Sequence, residues 1–204
     1  MPSGPTHRSP GRPRAASRRE VERVVMELLQ RDGYDAVSVQ AMCEAAGIGR
    51  TTFFRYFQSK SGVIWYAFND TIDSLRSHLA ELPEETDLLA GVQRAVYAST
   101  REAVRSSDVW LERFRLLDTV PALQAGAYEH WESWKRVVAV HLAERTGASP
   151  ENPAPLIVAS ACQGAFVAAL RTWLSSGDAD AFLDRLTRNL AVAQAPTAAL
   201  RPAR

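Results

Sequence analysis

The sequence predicts an all-α fold of nine helices in two domains. Three observations carry that expectation. Apolar residues recur at i, i+3, i+4 and i+7 in one window after another, the spacing of a helix with one buried face. No segment alternates apolar and polar residues with period two between turn signals, so no strand or hairpin is expected. The chemistry of the chain also changes near residue 60. Residues 1–60 carry ten Lys/Arg against six Asp/Glu, a net charge of +4, whereas residues 61–204 carry a net charge of −3 and all five tryptophans. A basic first part on an acidic body points to an anionic partner for the first part alone.

The elements follow in order. Residues 1–16 are rich in Pro, Gly, Ser and Arg and are expected to form a disordered basic arm. The first helix starts near Ser17, with Val21, Val24, Val25, Leu28 and Leu29 along one face, and Gly33 stops it. Ser38 suits the N-cap of a second helix striped by Val39, Met42, Cys43 and Ala46. Gly47-Ile48-Gly49 makes a turn, and residues 50–57 make a short third helix. Ser59 is placed to cap a fourth helix running to about residue 82, with Trp65, Phe68, Ile72, Leu75 and Leu79 on one side. A fifth covers residues 87–106 and a sixth residues 109–118. Pro121 opens a seventh that ends at Gly147. Residues 150–155 read as a loop, residues 156–174 as an eighth helix and residues 178–193 as a ninth, before an Ala/Pro-rich flexible tail over residues 194–204. The domains expected are therefore residues 17–60 and residues 61–193.

Composition excludes several classes. The chain has 204 residues, 46% of them hydrophobic, and a formal net charge of only +1, an ordinary globular balance. Cys43 and Cys162 are far apart and form no C-x-x-C pair, which argues against a disulfide framework or a zinc ribbon and suits a reducing cytoplasm. The N-terminus lacks the apolar core of a signal peptide, and no run of 18 apolar residues suggests a membrane span. No metal or cofactor is expected.

The second helix, the glycine turn and the third helix make a helix-turn-helix. In the third helix Phe53 and Phe57, at i and i+4, should face inward with Phe54 flanking them. Arg50, Thr51, Thr52, Arg55 and Tyr56 are left toward solvent. A helix fits the major groove, an arginine fork matches guanine O6 and N7, and threonine offers a methyl to thymine or a hydroxyl to phosphate. Lys60 is placed for a phosphate. In the arm, Arg12 and Arg14 lie in an extended Gly-Arg-Pro-Arg segment that could follow a minor groove or simply neutralise phosphates.

The run from Gly33-Tyr34 through Ser38-Val39, Ala45-Ala46-Gly47-Ile48, Thr52-Phe53-Phe54, Tyr56-Phe57 and Ser59-Lys60 resembles the tetracycline-repressor (TetR) family of transcriptional regulators. The resemblance implies a TetR-like fold, cytoplasmic and dimeric, that binds double-stranded operator DNA and responds to a small molecule. Carried over by position, it implies that Thr52, Tyr56 and Lys60 touch phosphates and that Arg50, Thr51 and Arg55 lie nearest base edges, with Ser38 in the same DNA-facing set. The family usually has tyrosine where this chain has Phe54, so a phosphate contact from that hydroxyl is missing. Further along, residues 63–68 and 120–125, followed by Trp134, resemble the mycofactocin-regulator subgroup, which implies an acyl-CoA-like ligand domain.

The second half is expected to hold an apolar effector between its helices. The candidate lining is Trp65, Phe68, Ile72, Trp110, Phe114, Leu117, Trp131, Trp134, Phe166 and Leu170, with Arg113, His130 and Gln163 as polar ends and Arg113 and Arg115 at the mouth for a nucleotide's phosphates. Small residues from Ala159 to Ala169, together with Phe182, Leu183, Leu186 and Leu190, suggest a homodimer through helices eight and nine. The alternatives are a helical enzyme or binding protein for a hydrophobic substrate and a redox-sensing regulator using the two cysteines. No H-E-x-x-H, G-x-S-x-G or phosphate loop supports the first, so no enzyme is expected.

Overall fold

A computed structural model describes residues 16–149 and 152–193. The expected arm with Arg12 and Arg14, residues 150 and 151 of the expected loop, and the expected tail from residue 194 onward lie outside the described residues. Among those described there are nine α-helices and no strand: α1 (Arg18–Asp32), α2 (Val39–Ala45), α3 (Arg50–Phe57), α4 (Gly62–Ala80), α5 (Leu88–Ser106), α6 (Trp110–Thr119), α7 (Pro121–Thr146), α8 (Pro153–Ser176) and α9 (Ala179–Val192). The chain divides into two compact units between Gln58 and Ser59.

Local hydrogen-bond chemistry sets most helix ends. Ser17 and Glu20 form a reciprocal capping box on α1: the Ser17 N–H donates to Glu20 Oε2 at 2.6 Å, and the Glu20 N–H donates to Ser17 Oγ at 3.3 Å. Ser38, Asp87 and Asp178 accept backbone N–H groups at the starts of α2, α5 and α9 in the same way. Two expected boundaries move. Ser59 Oγ accepts the Gly62 N–H at 2.9 Å, yet the N-cap position of α4 is Ser61, so the helix begins later than Ser59 suggests. Residues 153–155 are helix, not loop. Asn152 caps α8 and Pro153 takes its first turn, where a missing N–H costs nothing.

In the first unit α2 packs against both α1 and α3. Val21, Val25, Met26, Leu29, Val37, Met42, Phe53 and Phe57 are buried. In the second unit α4 packs on α5 and α7, and α8 packs on α7 and α9. One apolar cluster runs through it, from Trp65 and Phe68 to Trp173, Phe182 and Leu190. By length and composition alone α8 passes as long and apolar enough to cross a membrane, with a mean hydropathy of 1.6 in its most apolar window, although no 18 consecutive residues of it are apolar. Its buried side chains, among them Val158, Cys162, Phe166 and Trp173, belong to this cluster. Only 44% of that window is buried, so α8 also carries an apolar face directed outward.

Candidate nucleic-acid interface and apolar cavity

Gly47 makes the turn of the helix-turn-helix possible. Its φ of +63° lies where only glycine is unstrained, and the chain closes there as Ile48 N–H donates to the Cys43 carbonyl at 3.0 Å. Gly49 then opens α3. Phe53 and Phe57 anchor that helix, 0% and 3% exposed, with ring centroids 5.3 Å apart. Their burial fixes the rotation of α3 and turns Arg50, Thr51 and Arg55 outward. Phe54 does not join the buried pair: it is 38% exposed and lies under the Arg50 guanidinium, 5.7 Å from its ring centroid. Thr52 and Tyr56 are half-buried at the edges. The Tyr56 hydroxyl donates to the Ala16 carbonyl at 3.1 Å, which ties α3 to the residue preceding the first helix.

In the second unit, rings from several helices converge. Phe68 meets Trp110, Phe114 and Trp131 with centroids 5.2, 5.3 and 6.3 Å away. Phe166 meets Phe114, Trp131, Trp134 and Phe182 at 5.8–6.2 Å. These rings line a cavity together with Ile72, Ala103 and Val104, and with three polar side chains, Thr71, Thr100 and His130. Thr71 and Thr100 spend their hydroxyl protons on the Ala67 and Val96 carbonyls. His130 stacks on Trp65 at 4.1 Å, and burial lowers its pKa, so the imidazole is neutral at neutral pH. The cavity has room for only about 30 Å³, roughly one water molecule. A wider groove of about 470 Å³ runs between α4 and α7, lined in part by Arg76, Ser133, Arg136 and His141.

Both halves of the chain match known families. Residues 24–64 match the bacterial regulatory proteins of the tetR family, and residues 86–197, more than half of the chain, match the MftR C-terminal domain. The chain belongs to the TetR family of transcriptional regulators. Within it, a Mycobacterium tuberculosis protein named as the candidate mycofactocin biosynthesis transcriptional regulator MftR is 29% identical over 164 residues, 80% of this chain and 83% of that protein. Two solved TetR-family structures share the fold. A regulator from Mesorhizobium loti has a TM-score of 0.59 at 18% identity, covering 87% of this chain and 95% of its own. Thermus thermophilus FadR, a repressor solved with lauroyl-CoA, has a TM-score of 0.53 at 17% identity, covering 87% and 93%.

Not every residue expected at a TetR-type site lies where the sequence put it. Ser38 serves as a cap, its Oγ accepting the Ala41 N–H at 3.1 Å. The Tyr56 hydroxyl proton is directed at the Ala16 carbonyl, so a phosphate would have to displace that bond to receive it. Lys60 is half-buried in the turn before α4 and belongs to the second unit. Of the expected lining, Phe68, Ile72, Trp110, Phe114, Trp131, Trp134 and Phe166 meet around the cavity. Trp65, Leu117, Gln163 and Leu170 do not line it. Trp65 and Leu170 pack in the core, Leu117 packs against it, and Gln163 Nε2 donates to the Trp131 carbonyl at 2.7 Å. Arg113 is not at a mouth: it is 0% exposed and Nε donates to the Ile64 carbonyl at 2.9 Å. Arg115 pairs with Glu112 at 3.5 Å. Thr71, Thr100, Ala103, Val104 and Phe182 were missed, because periodicity shows which face is buried but not which neighbour it meets.

On α9, Phe182, Leu183, Leu186 and Leu190 are all buried within the chain, so they cannot supply a subunit contact. Outward-facing α8 residues remain: Ile157 is 52% exposed, and Ser160, Gly164 and Ala168 are exposed on the same face. The cysteines are free, buried thiols in different units. Burial pushes Cys162 up to about 11 and raises Cys43, the wrong direction for a reactive thiolate.

Proposed function

We propose that this TetR-family regulator is a cytoplasmic repressor that binds a palindromic operator as a dimer and is released by an apolar effector, with an acyl-CoA as the first candidate. The observation that carries the DNA reading is the exposed row of Arg50, Thr51 and Arg55 on a helix anchored from behind by Phe53 and Phe57. The outward apolar face of α8 supports the dimer, since small residues there would let a second copy approach closely. Two recognition helices related by a two-fold axis would meet major grooves about 34–36 Å apart.

Selection from a random duplex pool tests this. An inverted repeat should emerge, bound with two chains per duplex. Arg55→Ala should then cost about 1–3 kcal/mol and relax sequence choice. Lys60→Ala should weaken all duplexes alike and lower the salt slope by about one. Binding without sequence preference, or identical effects of the two substitutions, would count against these roles.

The ring-lined cavity supports an apolar effector, and the lauroyl-CoA found in the Thermus FadR structure makes an acyl thioester the natural probe. Room for one water cannot take an acyl chain, so binding has to part the rings and the helices that carry them. No charged side chain lines the cavity, so a nucleotide head group stays outside it. The α4–α7 groove offers Arg76 and Arg136 to such a head group, although Glu144 lines it too and Arg76 is itself paired with Asp73. A ligand that selects the parted state can change DNA affinity only by its preference for that state, typically about 1–3 kcal/mol. Titration with acyl-CoAs of increasing length should quench tryptophan fluorescence and release the selected duplex. By reciprocity, the duplex should weaken acyl-CoA binding by the same factor. No quenching and no release at any length would remove the acyl-CoA reading and leave DNA binding standing.

A further inference from the structure

An exposed phenyl ring on the outward face of α3 has no role so far. At about 3.6 residues per turn, Arg50, Phe54, Thr51 and Arg55 follow one another in that order around one side of the helix. Phe54 therefore sits inside the polar row, not at its border, and it is one of four large hydrophobic side chains exposed among the described residues. It is also held in place. Phe53 meets it edge-on with centroids 5.6 Å apart and planes at 90°, and the Arg50 guanidinium stands 5.7 Å from its centroid. Phenylalanine has no donor for a phosphate and no partner for a polar base edge. The apolar group that a major groove presents is the C5-methyl of thymine, or of 5-methylcytosine. An arginine beside that ring is placed for O6 and N7 of a neighbouring guanine.

We propose that Phe54 is a specificity-determining residue that reads a pyrimidine C5-methyl group next to a guanine read by Arg50. The inference rests on the DNA-binding reading above. A methyl group removed from such a contact weakens binding about fourfold, the worth of one buried carbon.

The test starts from the duplex that the full chain selects out of a random pool. Each thymine is replaced in turn by deoxyuridine, which deletes only the methyl, and affinity is read by fluorescence anisotropy at fixed salt. One thymine in each half-site should lose about fourfold with the wild-type protein. With Phe54→Ala the same replacement should change nothing, while Phe54→Tyr should keep the loss. Cytosine at that position should bind better once methylated at C5. Circular dichroism and a thermal melt check that the alanine variant is folded at the assay temperature, and Phe54→Leu, which keeps most of the apolar packing on Phe53, supplies a second variant. Thymine scans that look the same for wild type and Phe54→Ala would overturn the proposal and leave DNA binding intact. Failure to select any duplex would overturn both.

Discussion

Phe166→Ala should lower the unfolding free energy by about 3–5 kcal/mol, the usual cost of deleting a buried phenyl ring and leaving its space behind. Phe166 is 8% exposed and touches four rings on three other helices: Phe114 on α6, Trp131 and Trp134 on α7, and Phe182 on α9. No single neighbour swings in easily to fill the gap, because Phe68 also holds Phe114 and Trp131, and Trp173 stacks on Phe182 at 4.7 Å. Urea unfolding at one fixed protein concentration checks the number, since a dimer's apparent stability depends on concentration. The midpoint should fall with the slope unchanged. The variant makes a second, opposite expectation. A cavity of about 30 Å³ becomes large enough to admit a small apolar molecule without parting the helices. Short acyl chains should therefore bind the variant better than the wild type, and should recover part of the lost stability by mass action. A loss below about 1 kcal/mol would mean that the site collapses freely, and that the cavity is soft packing with no preformed shape.

That pair of expectations marks what could be read from the sequence and what could not. Helix stops and starts were legible because they are local. Gly47 at φ +63°, Ser17 with Glu20, and Ser38 with the Ala41 N–H each act within a few residues of themselves. Pro153 was misread because a proline before a helix and a proline in a loop look alike until the Asn152 cap is seen. Seven of the cavity's rings and side chains were legible as one face of their own helices. Phe182 and Thr100 were not: Phe182 reads as one more residue of an apolar stripe, and Thr100 as a polar residue in mid-helix. That they share a space with Phe68 depends on how six helices cross, which no short window contains. Phe54 shows the limit from the other side. The i, i+4 spacing was enough to put Phe53 and Phe57 inward with Phe54 at their flank, since each residue turns an α-helix by about 100°, but not to show that Phe54 stays 38% exposed beneath Arg50.

Arg113 carries the sharpest reversal, and removing it should have the second large effect. A charged residue in an apolar stretch reads as a polar end facing outward. Here it is fully buried, bonded through Nε to the Ile64 carbonyl in the first turn of α4, with its guanidinium 4.5 Å from the Trp110 ring centroid. It thus fastens α6 to α4. Arg113→Ala deletes the aliphatic stem, that hydrogen bond and the contact with the indole, and should cost about 3 kcal/mol. Arg113→Met keeps the stem and removes a buried charge, so it should stay within about 1 kcal/mol of wild type. Burial pushes the guanidinium down to about 9, against 12.5 for the ordinary side chain. Between about pH 6 and 8 it is protonated in both the folded and unfolded chain, so the gap between wild type and Arg113→Met should be flat there. Above about pH 9 the unfolded chain binds more protons than the folded one, and stability contributed by this group rises with pH. Wild type should therefore gain on the methionine variant as pH climbs past that point, measured by urea unfolding of both at matched pH. A gap that stays flat beyond about pH 10 would mean that the buried guanidinium keeps its proton through its contacts with Ile64 and Trp110. A methionine variant as unstable as alanine would show that the bond to α4, more than the packing of the stem, holds α6 in place.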